Sequence, residues 1–92
     1  MQVVLKSNFD LAGLPSPGSL EVQEGTNLRA LLDLLSRQCR LDFIDPKSGQ
    51  VRATDFNITL NGKEHPFLAQ GLDTPLQRGD EVQVLVMPLG GG

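Results

Sequence analysis

The chain has no tryptophan, no tyrosine and only four phenylalanines among its 92 residues, so it offers no aromatic platform on which exposed bases could stack. Its basic residues are scattered from Lys6 to Arg78 and the net charge is −3. A nucleic-acid binder concentrates positive charge on one face, so nucleic acid is not an expected partner. No apolar run approaches the roughly 20 residues that a membrane-spanning helix needs. Met1-Gln2-Val3-Val4-Leu5-Lys6 is too short and too soon polar for a signal peptide. These absences predict a soluble protein retained in the cytoplasm, with no membrane partner. Cys39 stands alone, which excludes an internal disulfide and suits a reducing compartment.

Histidine is as scarce as cysteine. His65 is the only one, and it sits beside Pro66 after a predicted hairpin, where a loop role is favoured over acid–base catalysis, which needs a second residue to orient the base. One His and one Cys cannot close a Cys/His metal site, and the carboxylates follow no calcium-loop pattern. Gly62-Lys63 lacks the upstream glycine spacing and the following Ser or Thr of a phosphate loop. Asp33, Asp55, Asp73 and Asp80 read as solvated or turn-forming residues. The domain is expected to carry no catalytic residue, no metal and no bound cofactor of its own.

What is present organises one small domain around an aliphatic core. Gln2 to Phe9 reads as a first, inner strand, with Val3, Val4 and Leu5 apolar on both faces. Gly13, Pro15, Pro17 and Gly18 then break the chain into a loop. Ser19 to Glu24 alternates polar and apolar residues, the signature of a strand with one wet face. Thr26 is placed to cap a helix, in which Leu28, Leu31, Leu32, Leu35 and Cys39 form one stripe that must lie on a sheet. Cys39 is expected to pack as a small apolar residue.

The helix should end near Arg40. Beyond it an irregular stretch is expected, with a short extended piece near residues 50–52 and with Phe43 and Ile44 as anchors. Asn61-Gly62, between Asn57-Ile58-Thr59-Leu60 and Lys63-Glu64-His65, is a strong type I′ hairpin signal. Leu68, Leu72 and Leu76 are expected to dip inward around a short 3₁₀ turn. Arg78-Gly79-Asp80 launches a last strand, apolar on both faces at residues 84–86, which belongs in the interior of the sheet. The order of elements predicts an α+β fold: a mixed sheet packed on one main helix.

That last strand runs into Met87-Pro88-Leu89-Gly90-Gly91-Gly92. Proline ends the strand pattern because it has no N–H, and glycines without Cβ fit a channel too narrow for other residues. Residues 1–87 therefore read as the domain and residues 88–92 as a flexible glycine tail. Fully extended from Met87, the tail could reach roughly 20 Å, with the α-carboxylate of Gly92 as its one reactive group. Glycine-rich ends also serve as plain flexible linkers, and the glycines by themselves fit that simpler reading better.

The remaining motifs shift the balance. Glu24-Gly25-Thr26 followed by Leu31-Leu32, Leu60-Asn61-Gly62-Lys63, Thr74-Pro75-Leu76, Gly79-Asp80-Glu81-Val82, and Pro88 before terminal glycines resemble, in this order, the ubiquitin-like sulfur carriers of the molybdopterin-synthase small-subunit and thiamine-sulfur-carrier type. The resemblance covers nearly the whole chain and implies a β-grasp fold. It also implies that the Gly92 carboxylate is adenylated by a ubiquitin-activating-type enzyme using ATP and a sulfur donor, and becomes a thiocarboxylate. Gly90 and Gly91 would thread the partner's active site. The sulfur would pass to a biosynthetic enzyme such as the molybdopterin synthase large subunit, with a molybdopterin precursor as the first expected recipient. Leu85, Met87 and Leu89 are candidates for docking these partners. The ending is one residue longer than the family's usual spacing from Gly79-Asp80-Glu81-Val82, so either the last strand or tail has lengthened or Gly92 is removed before activation. Two other functions stay open: a modifier joined to lysines of other proteins, and a non-covalent β-grasp interaction domain.

Overall fold

The computed structural model describes residues 1–11 and 13–87. In chain order the elements are β1 (Gln2–Ser7), β2 (Gly18–Glu21), α1 (Leu28–Cys39), β3 (Phe56–Leu60), β4 (Lys63–Glu64) and β5 (Glu81–Val86), with 3₁₀ turns at His65–Phe67 and Gly71–Asp73. The strands form one mixed sheet in the order β2-β1-β5-β3-β4. β5 lies at its centre, parallel to β1 and antiparallel to β3, as its two-sided apolar sequence predicts.

Successive side chains of a strand point to opposite faces, and this alternation separates core from solvent. Val3 and Leu5 of β1, Val82 and Val84 of β5, and Phe56, Ile58 and Leu60 of β3 are buried on one face. Leu28, Leu31, Leu32 and Leu35 of α1 are fully buried with them in a single cluster. Each such side chain contributes about 1.5–3 kcal/mol relative to an exposed one, so the leucine stripe holds the helix to the sheet. Leu72 and Leu76 are buried and Leu68 packs against the core, matching the expected inward dips. Phe43 is fully buried, and Ile44 pairs with Val51 in an isolated bridge, which confirms the anchor and the short extended piece.

The Asn61-Gly62 turn is the expected hairpin, with φ of 52° and 84° at its two residues, the positive pair that type I′ requires. The strand after it is shorter than predicted, because His65 leaves β4 to open the first 3₁₀ turn. β1 likewise stops at Ser7 rather than Phe9, where the Ser16 hydroxyl accepts from Ser7 N and donates to Ser7 O. β2 spans Gly18–Glu21, not residues 19–24. Its first residue must be glycine, because a Cβ there would lie 2.5 Å from the Pro15 carbonyl oxygen.

The helix cap also needs correction. Asn27, not Thr26, is the N-cap: its side-chain oxygen accepts from Ala30 N at 2.8 Å. Thr26 Oγ1 instead donates to the Gln23 carbonyl at 2.7 Å. Tertiary contacts set this one-residue shift, since Leu76 N donates to Thr26 O and Leu28 N donates to Thr74 O, which holds Asn27 in an extended bridge opposite Pro75. Asn27→Ala is expected to cost about 1 kcal/mol, the usual worth of a cap, and Thr26→Ala clearly less. Urea midpoints of the two variants check the assignment; a larger loss from Thr26→Ala contradicts it.

Candidate functional site

The sequence points to the end of β5, and the structure shows how that end is held. Along β5, Val82 and Val84 face the core, so Glu81, Gln83 and Leu85 share the outer face. Pairing brings Val4 and Lys6 beside them from β1, and Asn57 and Thr59 from β3. Lys6 Nζ lies 3.3 Å from Glu81 Oε1, with the side chains 41% and 40% exposed, so solvent screens the pair and it contributes little to stability. Leu85 and Val4 are half-buried apolar side chains within this otherwise polar face. Met87, just past the strand, is 39% exposed, as is Val86. Leu89, Gly90, Gly91 and Gly92 lie outside the described residues.

Both ends of β5 are bracketed by asparagines. At its start, Asn61 N donates to Glu81 O at 2.7 Å, and Glu81 N donates to Asn61 Oδ1 at 2.9 Å. Asn61 Nδ2 also donates to Asp80 Oδ1, while Asp80 Oδ2 accepts from Gln77 N. Asp80 is thus the turn-forming residue that its sequence context suggests. At the far end, Val86 N donates to Asn8 Oδ1 at 2.8 Å and Asn8 Nδ2 donates to Val86 O at 3.2 Å. On the β3 side, Met87 N donates to Asp55 O at 2.8 Å.

These bonds are the last that β5 makes among the described residues. The β1–β5 backbone register ends with Ser7 opposite Val84, and the Asn8 side-chain amide then supplies one more donor and acceptor, extending the ladder by one step. The N–H of Asp55 is already given to Arg52 O, so it is not available for another antiparallel rung beyond Met87 N. The bond from Met87 N to Asp55 O is therefore the last rung of the strand among the described residues. Asn8 and Asp55 were not legible as part of this site: Asn8 is 78 residues from Val86, and no local pattern announces such a contact.

The other chemistry-bearing residues lie elsewhere. His65 opens the first 3₁₀ turn with its Nδ1 buried and unpartnered. Desolvation pushes its pKa down, against the opposing pull of the Ile58 carbonyl and Glu64. Cys39, at the end of α1, is partly buried against the core. Burial pushes its thiol pKa up and Asp10 adds to the rise, which disfavours the nucleophilic thiolate. Among the described residues no group of three or more His, Cys, Asp or Glu is placed to hold a metal ion, and no helix is long and apolar enough to cross a membrane.

A five-stranded mixed sheet on one helix, with a central last strand leading into the C-terminal segment, defines a ubiquitin-like β-grasp domain. Comparison with solved structures agrees. SAMP1 from Haloferax volcanii superposes with a TM-score of 0.67 at 22% identity over 100% of both chains. The putative molybdopterin converting factor, subunit 1, from Pyrococcus furiosus gives 0.63 at 23% identity, covering 95% of this chain and 98% of that one. The small archaeal modifier protein 1 from Methanosarcina acetivorans gives 0.64 at 26% identity, covering 99% and 96%. No curated protein matches the chain significantly in sequence. The ThiS family model matches residues 7–92, and the chain belongs to the ThiS family, among the ubiquitin-like sulfur carriers that its sequence resembles.

Proposed function

We propose that this chain is a sulfur carrier whose reacting group is the carboxyl of Gly92. The carboxylate attacks the α-phosphorus of ATP in the active site of a ubiquitin-activating-type enzyme, forming an acyl-adenylate and releasing pyrophosphate. A sulfide-equivalent nucleophile then attacks the carbonyl and AMP leaves, giving the thiocarboxylate. Activation is needed because a carboxylate is a poor electrophile, whereas the mixed anhydride has a good leaving group. Glycines around it leave the carbonyl unhindered, and positioning within the partner enzyme supplies much of the rate.

The observation that carries this reading is that the family match covers residues 7–92 and so takes in the glycine segment. The body supplies rigidity and a docking face; ATP and the sulfur donor reach the tail through the partner. Leu85 and Met87, with Leu89, are the residues this reading assigns to contact whatever receives the tail. Sulfur delivery to a molybdopterin precursor is the first route to test, supported by the likeness to the Pyrococcus furiosus protein. ATP–pyrophosphate exchange by the cognate activating enzyme should depend on the addition of this chain. An enzyme that exchanges equally well without it, or not at all with it, overturns the reading.

A second reading is favoured by one observation, the likeness to two archaeal modifier proteins. In it the same activated carboxyl forms an isopeptide bond with a lysine of another protein. Ladders of larger species on a blot, lost when Gly91 and Gly92 are deleted, would support conjugation; their absence counts against it.

A further inference from the structure

Asn8 offers something that a surface asparagine rarely does. Both of its amide atoms are spent on one residue, accepting from Val86 N at 2.8 Å and donating to Val86 O at 3.2 Å. In the parallel β1–β5 ladder, the even-numbered residues of β5 direct their N–H and C=O groups toward β1, beginning with Val4 N donating to Asp80 O. Continued past Ser7, the backbone would need an acceptor for Val86 N and a donor for Val86 O. β1 ends before it can provide them, and the Asn8 side chain provides both. Asn8 is itself seated by its neighbour, since Ser7 N and O are both bonded to the Ser16 hydroxyl.

This places a fixed collar at the root of the tail. Val86 is held toward β1 by Asn8, and Met87 N is held toward β3 by Asp55 O at 2.8 Å. A chain leaving a frayed strand end samples many directions, whereas one leaving a strand bonded on both sides starts from one position and heading. That matters for a tail whose last carbonyl must meet a nucleotide phosphate while the body stays outside, because misplacement by about 1 Å can cost about a hundredfold in rate.

We propose that Asn8 is a positioning residue: by completing the ladder at Val86 it sets the point and direction from which residues 88–92 depart, and so governs how productively a docked chain presents its carboxyl for adenylation. The inference rests on the proposed carrier function but assigns a role to a residue outside the tail.

The test is ATP–pyrophosphate exchange by the cognate activating enzyme with the full chain as varied substrate, using the unsubstituted chain, Asn8→Leu and Asn8→Asp. Leu is close in shape and removes both bonds; Asp keeps the acceptor for Val86 N and loses the donor. Asn8→Leu is expected to lower kcat about tenfold with KM within about twofold, because docking is intact and delivery is not. Asn8→Asp should fall between Leu and the unsubstituted chain. Amide hydrogen exchange at Val86 should rise at least about tenfold in Asn8→Leu, with Val82 and Val84 unchanged. A merely structural role behaves differently, since a partly unfolded substrate raises the apparent KM and leaves kcat alone. Unchanged kcat, or unchanged exchange at Val86, overturns the proposal. If the unsubstituted chain supports no exchange, the carrier function itself fails, and the role of Asn8 falls with it.

Discussion

A chain shortened to end at Gly90 is expected to lose adenylation by at least about a thousandfold while unfolding at the same temperature as the full-length protein. The stability half of this expectation comes from the core. Every buried apolar residue among those described lies at or before Val84, and the last described rung of the sheet is the bond from Met87 N to Asp55 O. The activity half comes from reach. Removing Gly91 and Gly92 draws the terminal carboxyl back by about 7 Å, at about 3.3–3.6 Å per residue, while reacting atoms must approach to about 3–3.5 Å. A docked body cannot advance to make up the difference. Gly91→Val, which keeps the length but adds bulk, separates reach from width: if the tail occupies a narrow channel, it too loses activity at unchanged stability. Pyrophosphate exchange and thermal unfolding on the same preparations check both halves, and exchange that survives the deletion contradicts the account.

The opposite pattern is expected of Phe43→Ala, which should lower stability by about 3–5 kcal/mol without touching the reacting group. Phe43 is fully buried and is the largest fully buried side chain described. Its ring centroid lies 4.7 Å from that of Phe56 in an edge-on contact and 6.4 Å from that of Phe9, so it joins the loop after β1, the start of β3 and its own segment beyond the helix. Its backbone is fixed as well, its carbonyl accepting from Arg52 N at 3.0 Å. Truncation leaves a cavity at the meeting of three segments that local bonds prevent from collapsing. Domains of this size have about 5–15 kcal/mol in all, and each kcal/mol shifts the midpoint by about 4–8 °C. A fall of at least about 12 °C is therefore expected by calorimetry, and a fall of only a few degrees would mean that the site repacks. At temperatures where the variant remains folded, its kcat for adenylation should match that of the unsubstituted chain.

The two variants also mark what could be read from the chain before its structure was seen. The leucine stripe of α1, the Asn61-Gly62 turn and the apolar run of β5 are local patterns, each within about a dozen residues, and the fold follows them because burial and turn chemistry act at that range. Phe43 was legible as an anchor for the same reason: an apolar residue in a polar, turn-rich stretch has only the core to go to. The cap was misplaced by one residue because Thr26 and Asn27 are both good N-caps, and the choice between them is made by the bonds to Thr74 and Leu76. Asn8 was silent because its role exists only once β1 and β5 lie side by side. The glycines were legible as an unusual ending, and the family match extends over them to Gly92.

Intact mass measurement of the protein purified from cells that contain its activating enzyme, with fragmentation to locate any change, tests the central claim most directly. The account predicts a fraction of chains heavier by the replacement of one oxygen with sulfur, and the change placed on Gly92. Mass spectra in which no preparation carries that increment, or in which it maps to Cys39 or elsewhere in the body, would contradict it.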